Sequence, residues 1–140
     1  MNKLSYVILF FLSTSALADE ASPPEFQTKP DLYANVLQIA NSEGSKFWVT
    51  DQALVEKSTN STLKFWLSLY GQNYHMCNAS GEAQLANDST YQFKSGSCTL
   101  TLSFDRRSIT IEDENGECKT TFCGGRGYFN GKVLFRATPE

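Results

Sequence analysis

From Leu63 onward, apolar and polar residues alternate along the chain. Leu63, Phe65, Leu67 and Leu69 share one parity and Lys64 and Ser68 the other, with Trp66 and Tyr70 as exceptions. Tyr91 and Phe93 alternate with Gln92 and Lys94, Leu100, Leu102 and Phe104 with Thr99, Thr101 and Ser103, and Ile109 and Ile111 with Ser108 and Thr110. A period of two places one face of each run in a core and the other in water, which is the signature of antiparallel rather than parallel strands. Turn residues separate the runs at Asn87-Asp88-Ser89, Ser95-Gly96-Ser97, Asp105–Arg107 and Glu114-Asn115-Gly116. Asn130-Gly131, between Tyr128-Phe129 and Val133–Phe135, is the strongest hairpin signal, because both central positions tolerate positive φ. Short strands with tight turns predict a mainly β domain, a small antiparallel meander that closes into a barrel or sandwich.

Upstream the pattern changes. Asp31 can cap a helix, Leu32, Val36, Ile39 and Ala40 recur at helical spacing, and Asn41–Gly44 supplies a stop, which predicts a short N-terminal helix over 32–41. Phe47-Trp48-Val49 reads as strand, periodicity does not decide Asp51–Lys57, and Ser58–Ser61 is a polar loop. Residues 19–31 hold Pro23, Pro24 and Pro30 and little that could pack, so they read as a flexible arm. Residues 1–18 have the form of a secretory signal: Lys3, an apolar run over Leu4–Leu12, and a small-x-small ending at Ala16-Leu17-Ala18. The resulting division is a signal at 1–18, an arm at 19–31 and one β-rich domain at 32–140.

Removing 18 of the 140 residues leaves 122, enough to bury roughly two-thirds of the extended surface. It also leaves 11 basic against 15 acidic side chains, a net −4, which argues against a nucleic-acid partner. No run is long enough for a membrane-spanning helix. The address expected is periplasmic or secreted, and all four cysteines fall in the exported part, where disulfides persist.

Four cysteines allow three connectivities. If Leu85 faces Thr90 across the turn at Asn87-Asp88, the same register sets Cys77 opposite Cys98, on matching sheet faces. Cys118 and Cys123 then remain to close a small loop. The expected links are therefore Cys77–Cys98 and Cys118–Cys123. One C-x₄-C and a single histidine, His75, make a poor zinc set, and nothing signals a cofactor.

Candidate chemistry is sparse. His75 lacks a nucleophile for a Ser-His or Cys-His centre and reads as structural. Glu112, Asp113, Glu114 and Glu117 lack the spacing of a calcium loop and read first as a solvated turn. Gly124-Gly125-Arg126-Gly127 is more informative, because a thin backbone carrying one planar bidentate donor suits a carboxylate in a narrow cleft. The binding residues expected are Gly124, Gly125, Arg126 and Gly127, with Glu112, Asp113 and Glu114.

Cys77-Asn-Ala-Ser-Gly-Glu-Ala83, Cys98-Thr-Leu-Thr-Leu102 and Cys118…Cys123-Gly-Gly-Arg-Gly127 occur in that order within residues 63–136. This pattern resembles small exported proteins of Gram-negative bacteria that share C-x-x-x-G-x-A, C-x-L and a closing C…C-G-x-R-G. More distantly, the layout is similar to the periplasmic inhibitors of C-type lysozyme, small disulfide-bonded antiparallel β-barrels. Their Ser-Gly-rich inhibitory loop and following tyrosine have no counterpart here. The resemblance implies the fold first; with the exported, disulfide-tied β pattern, the missing catalytic set and the acidic balance, the expectation is a periplasmic binding protein, not an enzyme, that blocks a basic lysozyme, a rival bacterium's toxin or another peptidoglycan hydrolase. An envelope assembly module is the alternative, and a glycan hydrolase using Glu112 or Asp113 a third.

Overall fold

The computed structural model describes residues 23–138; the expected signal at 1–18 lies outside that range. Eight strands pair in sequence order, all antiparallel: β1 (Asp31–Ala40), β2 (Lys46–Lys57), β3 (Thr62–Tyr70), β4 (Met76–Asn87), β5 (Thr90–Ser95), β6 (Cys98–Phe104), β7 (Ser108–Glu112) and β8 (Lys132–Arg136). β8 returns to β1, so the expected meander closes into a barrel. That closure is brief: β1 and β8 meet at Tyr33↔Arg136 and Ala34↔Phe135, beside a hydrogen bond from the Ala137 amide to the Leu32 carbonyl at 2.8 Å.

The alternation read from the sequence builds the interior. Leu63, Phe65, Leu67, Leu69, Leu100, Leu102, Ile109 and Ile111 all point inward and are buried, joined by Ala53, Val55, Phe129 and Leu134. Fully burying each large aliphatic or aromatic side chain contributes roughly 1.5–3 kcal/mol, so this one cluster dominates the stability of the domain.

Three expectations are corrected. Residues 32–41 are not helical: Asp31–Ala40 is strand β1, in unbroken register with β2 from Asp31↔Val55 to Ala40↔Lys46. The strand is apolar on both faces, with Tyr33 and Ile39 inside and Leu32, Ala34 and Val36 outside, so its period of two is hidden and a helical spacing emerges by coincidence. The one α-helix among the described residues is α1 (Glu117–Phe122). Asn130-Gly131 does turn the chain, with Gly131 at φ 78° and the Lys132 amide bonded to the Phe129 carbonyl at 3.1 Å. It leads from a loop into β8 rather than joining two strands.

The disulfides are Cys77–Cys123 and Cys98–Cys118. The expected register fails twice. The β4–β5 pairing runs Leu85↔Tyr91 with a shift before Asn87↔Thr90. The chain then turns again at Gly96, φ 58°, so Cys98 opens β6 and faces Ser95. α1 crosses the end of the barrel and brings Cys118 to Cys98, while the next residues pair Cys123 with Cys77 in an isolated bridge. On the chain-entropy model, separations of 46 and 20 residues give about 4 and about 3 kcal/mol.

The barrel therefore has unlike ends. One is covered by α1, both disulfides and the turn at Gln72–Tyr74. The other, formed by the start of β1, the β2–β3, β4–β5 and β6–β7 turns and the end of β8, holds a cavity.

Candidate functional site

At the covered end the segment Gly124–Gly127 lies against residues 71–77. The Gly124 amide donates to the Met76 carbonyl at 2.9 Å, and the Gly127 amide closes a turn onto the Gly124 carbonyl at 2.9 Å. The contact is too close for side chains. A Cβ on Gly71 would meet the Arg126 carbonyl oxygen at 2.5 Å, and one on Gly127 would meet Cys77 Sγ at 2.8 Å. The glycines thus let a loop sit directly on the disulfide and on β4, and Gly127 is buried while Gly124, Gly125 and Arg126 remain exposed. His75 supports them: its Nδ1 lies 3.2 Å from where a Gly124 Cβ would be.

Arg126 makes no ion pair among the described residues, and in particular none with the acidic turn. The turn itself divides. Glu112 and Glu114 are exposed, but Asp113, expected on the solvated surface, is buried. Its two carboxylate oxygens accept the Cys118 and Lys119 amides at 3.1 and 2.9 Å, capping the start of α1. Unsatisfied amides at a helix N-terminus favour an anion, so the placement of this carboxylate has a structural cause. Glu117 accepts a hydrogen bond from the Ser97 hydroxyl at 3.2 Å.

At the same end two aromatic rings, Tyr74 and Phe47, meet across separate elements. Asn73 and Tyr74 have φ of 56° and 59°, in the left-handed region that non-glycine residues rarely occupy. Such residues cost of order 1–3 kcal/mol each and gather at functional segments. Here the conformation leaves Tyr74 46% exposed, its ring 5.0 Å from that of Phe47, while the following residue, Trp48, points to the other face of β2 at 71% exposure. A signal was available: adjacent large aromatics on one strand cannot both face the core, so Phe47-Trp48 required one of them outside.

A buried ion pair stiffens this half of the barrel. Lys132 Nζ lies 2.7 Å from Asp51 Oδ2 and donates to the Tyr70 carbonyl at 2.5 Å, and Asp51 Oδ1 accepts the Tyr70 amide at 2.6 Å. Both side chains are almost fully enclosed, and the Lys132 ammonium also sits 4.6 Å from the centre of the Tyr128 ring.

At the opposite end the cavity holds about 460 Å³. Tyr33, Tyr91 and Phe104 form its wall, both tyrosines meeting Phe104 edge to face at 5.9 and 5.8 Å. Burial pushes the Tyr33 hydroxyl's pKa up, against the opposing pull of nearby Arg136, so it stays a neutral donor. The segment expected to be a flexible arm borders this cavity through Thr28 and Lys29 and is tied down: Glu56 accepts the Gln27 amide at 3.1 Å, the Thr28 amide, and the Thr28 hydroxyl at 2.6 Å. These bonds, the one from the Thr28 hydroxyl first, hold the Glu56 carboxyl below its ordinary pKa.

No group of three or more metal-ligating side chains occurs among the described residues, and no helix there is long and apolar enough to cross a membrane. Compared with models of known protein families, with curated protein sequences and with solved structures, the chain matches none.

Proposed function

We propose that this is an exported binding protein that blocks a peptidoglycan-degrading enzyme, a lysozyme or a competitor's toxin, with the covered end of its barrel. One observation carries the reading: Arg126 stands exposed and without an ion pair on a slim glycine loop seated on the Cys77–Cys123 link. A loop already ordered loses little entropy on binding. Tyr74, exposed on the segment against which the loop lies, is of a type that, with arginine, dominates the energetics of protein interfaces.

The expected target chemistry follows from the donor. A guanidinium reaching into a narrow cleft meets its best partner in a carboxylate, and a glycan-cleaving enzyme carries two across its cleft. The net charge of the exported part, −4, would steer it toward a basic hydrolase, and that steering weakens with added salt. The glycan-hydrolase reading loses support because both oxygens of Asp113 cap a helix instead of facing a second acid.

The test is a panel of C-type lysozymes and other peptidoglycan hydrolases assayed with micromolar purified protein. The reading expects at least one to be slowed, and Arg126→Ala to weaken that inhibition by roughly 2–5 kcal/mol for a buried contact. A panel left wholly unaffected would sink it in favour of an envelope assembly role.

A further inference from the structure

The outer wall of the barrel over β8, β1 and β2 is separate from the Arg126 loop, and we infer that two copies of this chain meet through it as a reversible dimer. The alternation that fills the interior leaves large apolar side chains outside at this wall. Val133 and Phe135 on β8, Val36 on β1 and Trp48 on β2 are 36%, 56%, 62% and 71% exposed. The register joins them: Ala34 pairs with Phe135 and Gln38 with Trp48, and Val36 lies between Ala34 and Gln38 on the same face of β1. Diagonal neighbours on adjacent strands are within reach of an aromatic ring, so these side chains form one patch.

The area suits a partner of a definite size. An aromatic side chain carries roughly 150–250 Å², so Trp48 and Phe135 alone leave on the order of 250 Å² open to water. With the two valines and the half-buried pair Leu32 and Leu54 the patch reaches on the order of 500 Å², a size at which exposed apolar patches are commonly functional. Two copies face to face would bury about 1,000 Å², the lower bound of a specific interface, which fits a dimer that forms and dissociates rather than an obligate one.

Charge decides the occupant. No Asp, Glu, Lys or Arg holds an outward position on β8, on β1 from Leu32 to Gln38 or on β2 from Trp48 to Leu54. The chain as a whole is net negative, −3, so two copies repel wherever charged surfaces meet and can approach through uncharged ground. A basic protein finds no acid to pair with on this wall, and an anionic lipid surface finds no base. A second copy brings the same uncharged patch, which is self-complementary about a two-fold axis. The patch also straddles the β1–β8 seam, the least paired junction of the barrel, closed only at Tyr33↔Arg136 and Ala34↔Phe135. A copy laid across it would brace that seam.

Sedimentation velocity of the disulfide-bonded exported protein from about 1 to about 500 μM tests the inference. It predicts a monomer–dimer equilibrium in the micromolar range that added salt leaves intact or tightens, because no ion pair holds it and salt screens the like charges. Amide exchange along β1 and β8 should slow as concentration rises. Trp48→Glu and Phe135→Glu, each at an exposed outward position, should weaken association about tenfold or more while the denaturant midpoint of the dilute monomer stays unchanged. Arg126→Ala should dimerise as the native protein does. A chain that stays monomeric throughout, a dimer that either glutamate variant leaves untouched, or a dimer that salt dissociates would each overturn the assignment. Binding to uncharged lipid vesicles by a chain that remains monomeric would overturn it too, giving the wall to a membrane.

Discussion

The two ends of this barrel are built from the same strands and solve opposite problems. The covered end carries both disulfides, the helix and the Asp51–Lys132 pair, and the exposed Arg126 loop rests on that frame. The open end has no covalent tie; it keeps an aromatic-walled cavity and an arm held through one carboxylate. On the proposed function, the covered end gains from links that remove freedom before binding. The hydrogen bonds that hold the arm at this mouth open at lower cost than a disulfide breaks.

The largest expected effect breaks the covered end from within. Lys132→Met would leave Asp51 charged and buried without its partner, and removing one member of such a pair costs roughly 3–5 kcal/mol. Denaturant unfolding should show that loss. A change below 1 kcal/mol would mean that water reaches Asp51 and that the frame is looser than its geometry.

Removing the disulfides separately sharpens the comparison. Replacing Cys77 and Cys123 by serine should destabilise the domain by about 4 kcal/mol, and replacing Cys98 and Cys118 by about 3, on the chain-entropy model. Amide exchange should rise at Gly124–Gly127 in the first variant while the Tyr33–Tyr91–Phe104 wall keeps its protection. Peptide mapping of the native protein must recover Cys77 with Cys123 and Cys98 with Cys118.

The smallest effect belongs to the open end. The Glu56 carboxyl is held below its ordinary pKa, so its stabilising contribution is complete above the range in which an unfolded glutamate titrates. That contribution is lost as the pH falls through the lowered folded value. Exchange protection of the Gln27 and Thr28 amides should therefore disappear in that acidic window, with the Arg126 loop unaffected. In Glu56→Gln the step should vanish, although Lys64 still faces position 56 across β2 and β3.

Much of the barrel was legible in the sequence. The alternation at Leu63–Leu69, Leu100–Phe104 and Ile109–Ile111 names the interior side chains, and the turns fall where Asn, Asp, Ser and Gly cluster. β1 was not legible, because a strand apolar on both faces has no visible period of two. The cysteine pairing failed for a related reason: a register argument extends only to the next turn, and Gly96 places Cys98 on another strand. The glycine–arginine loop could be read as a slim, donor-bearing segment, yet nothing local revealed that Gly71 and Cys77 make its seat. The cavity was beyond reach, since Tyr33, Tyr91 and Phe104 come from separate strands that share a wall only once the barrel closes.

The division of labour between the ends can be tested in one assay, by comparing inhibition of a responsive peptidoglycan hydrolase by the native protein, by Arg126→Ala and by the combined Tyr33→Phe and Tyr91→Phe variant. The account predicts that Arg126→Ala loses roughly 2–5 kcal/mol of binding while the tyrosine variant inhibits as the native protein does. Inhibition abolished by the tyrosine changes and untouched by Arg126→Ala would contradict it, placing protein recognition at the open end.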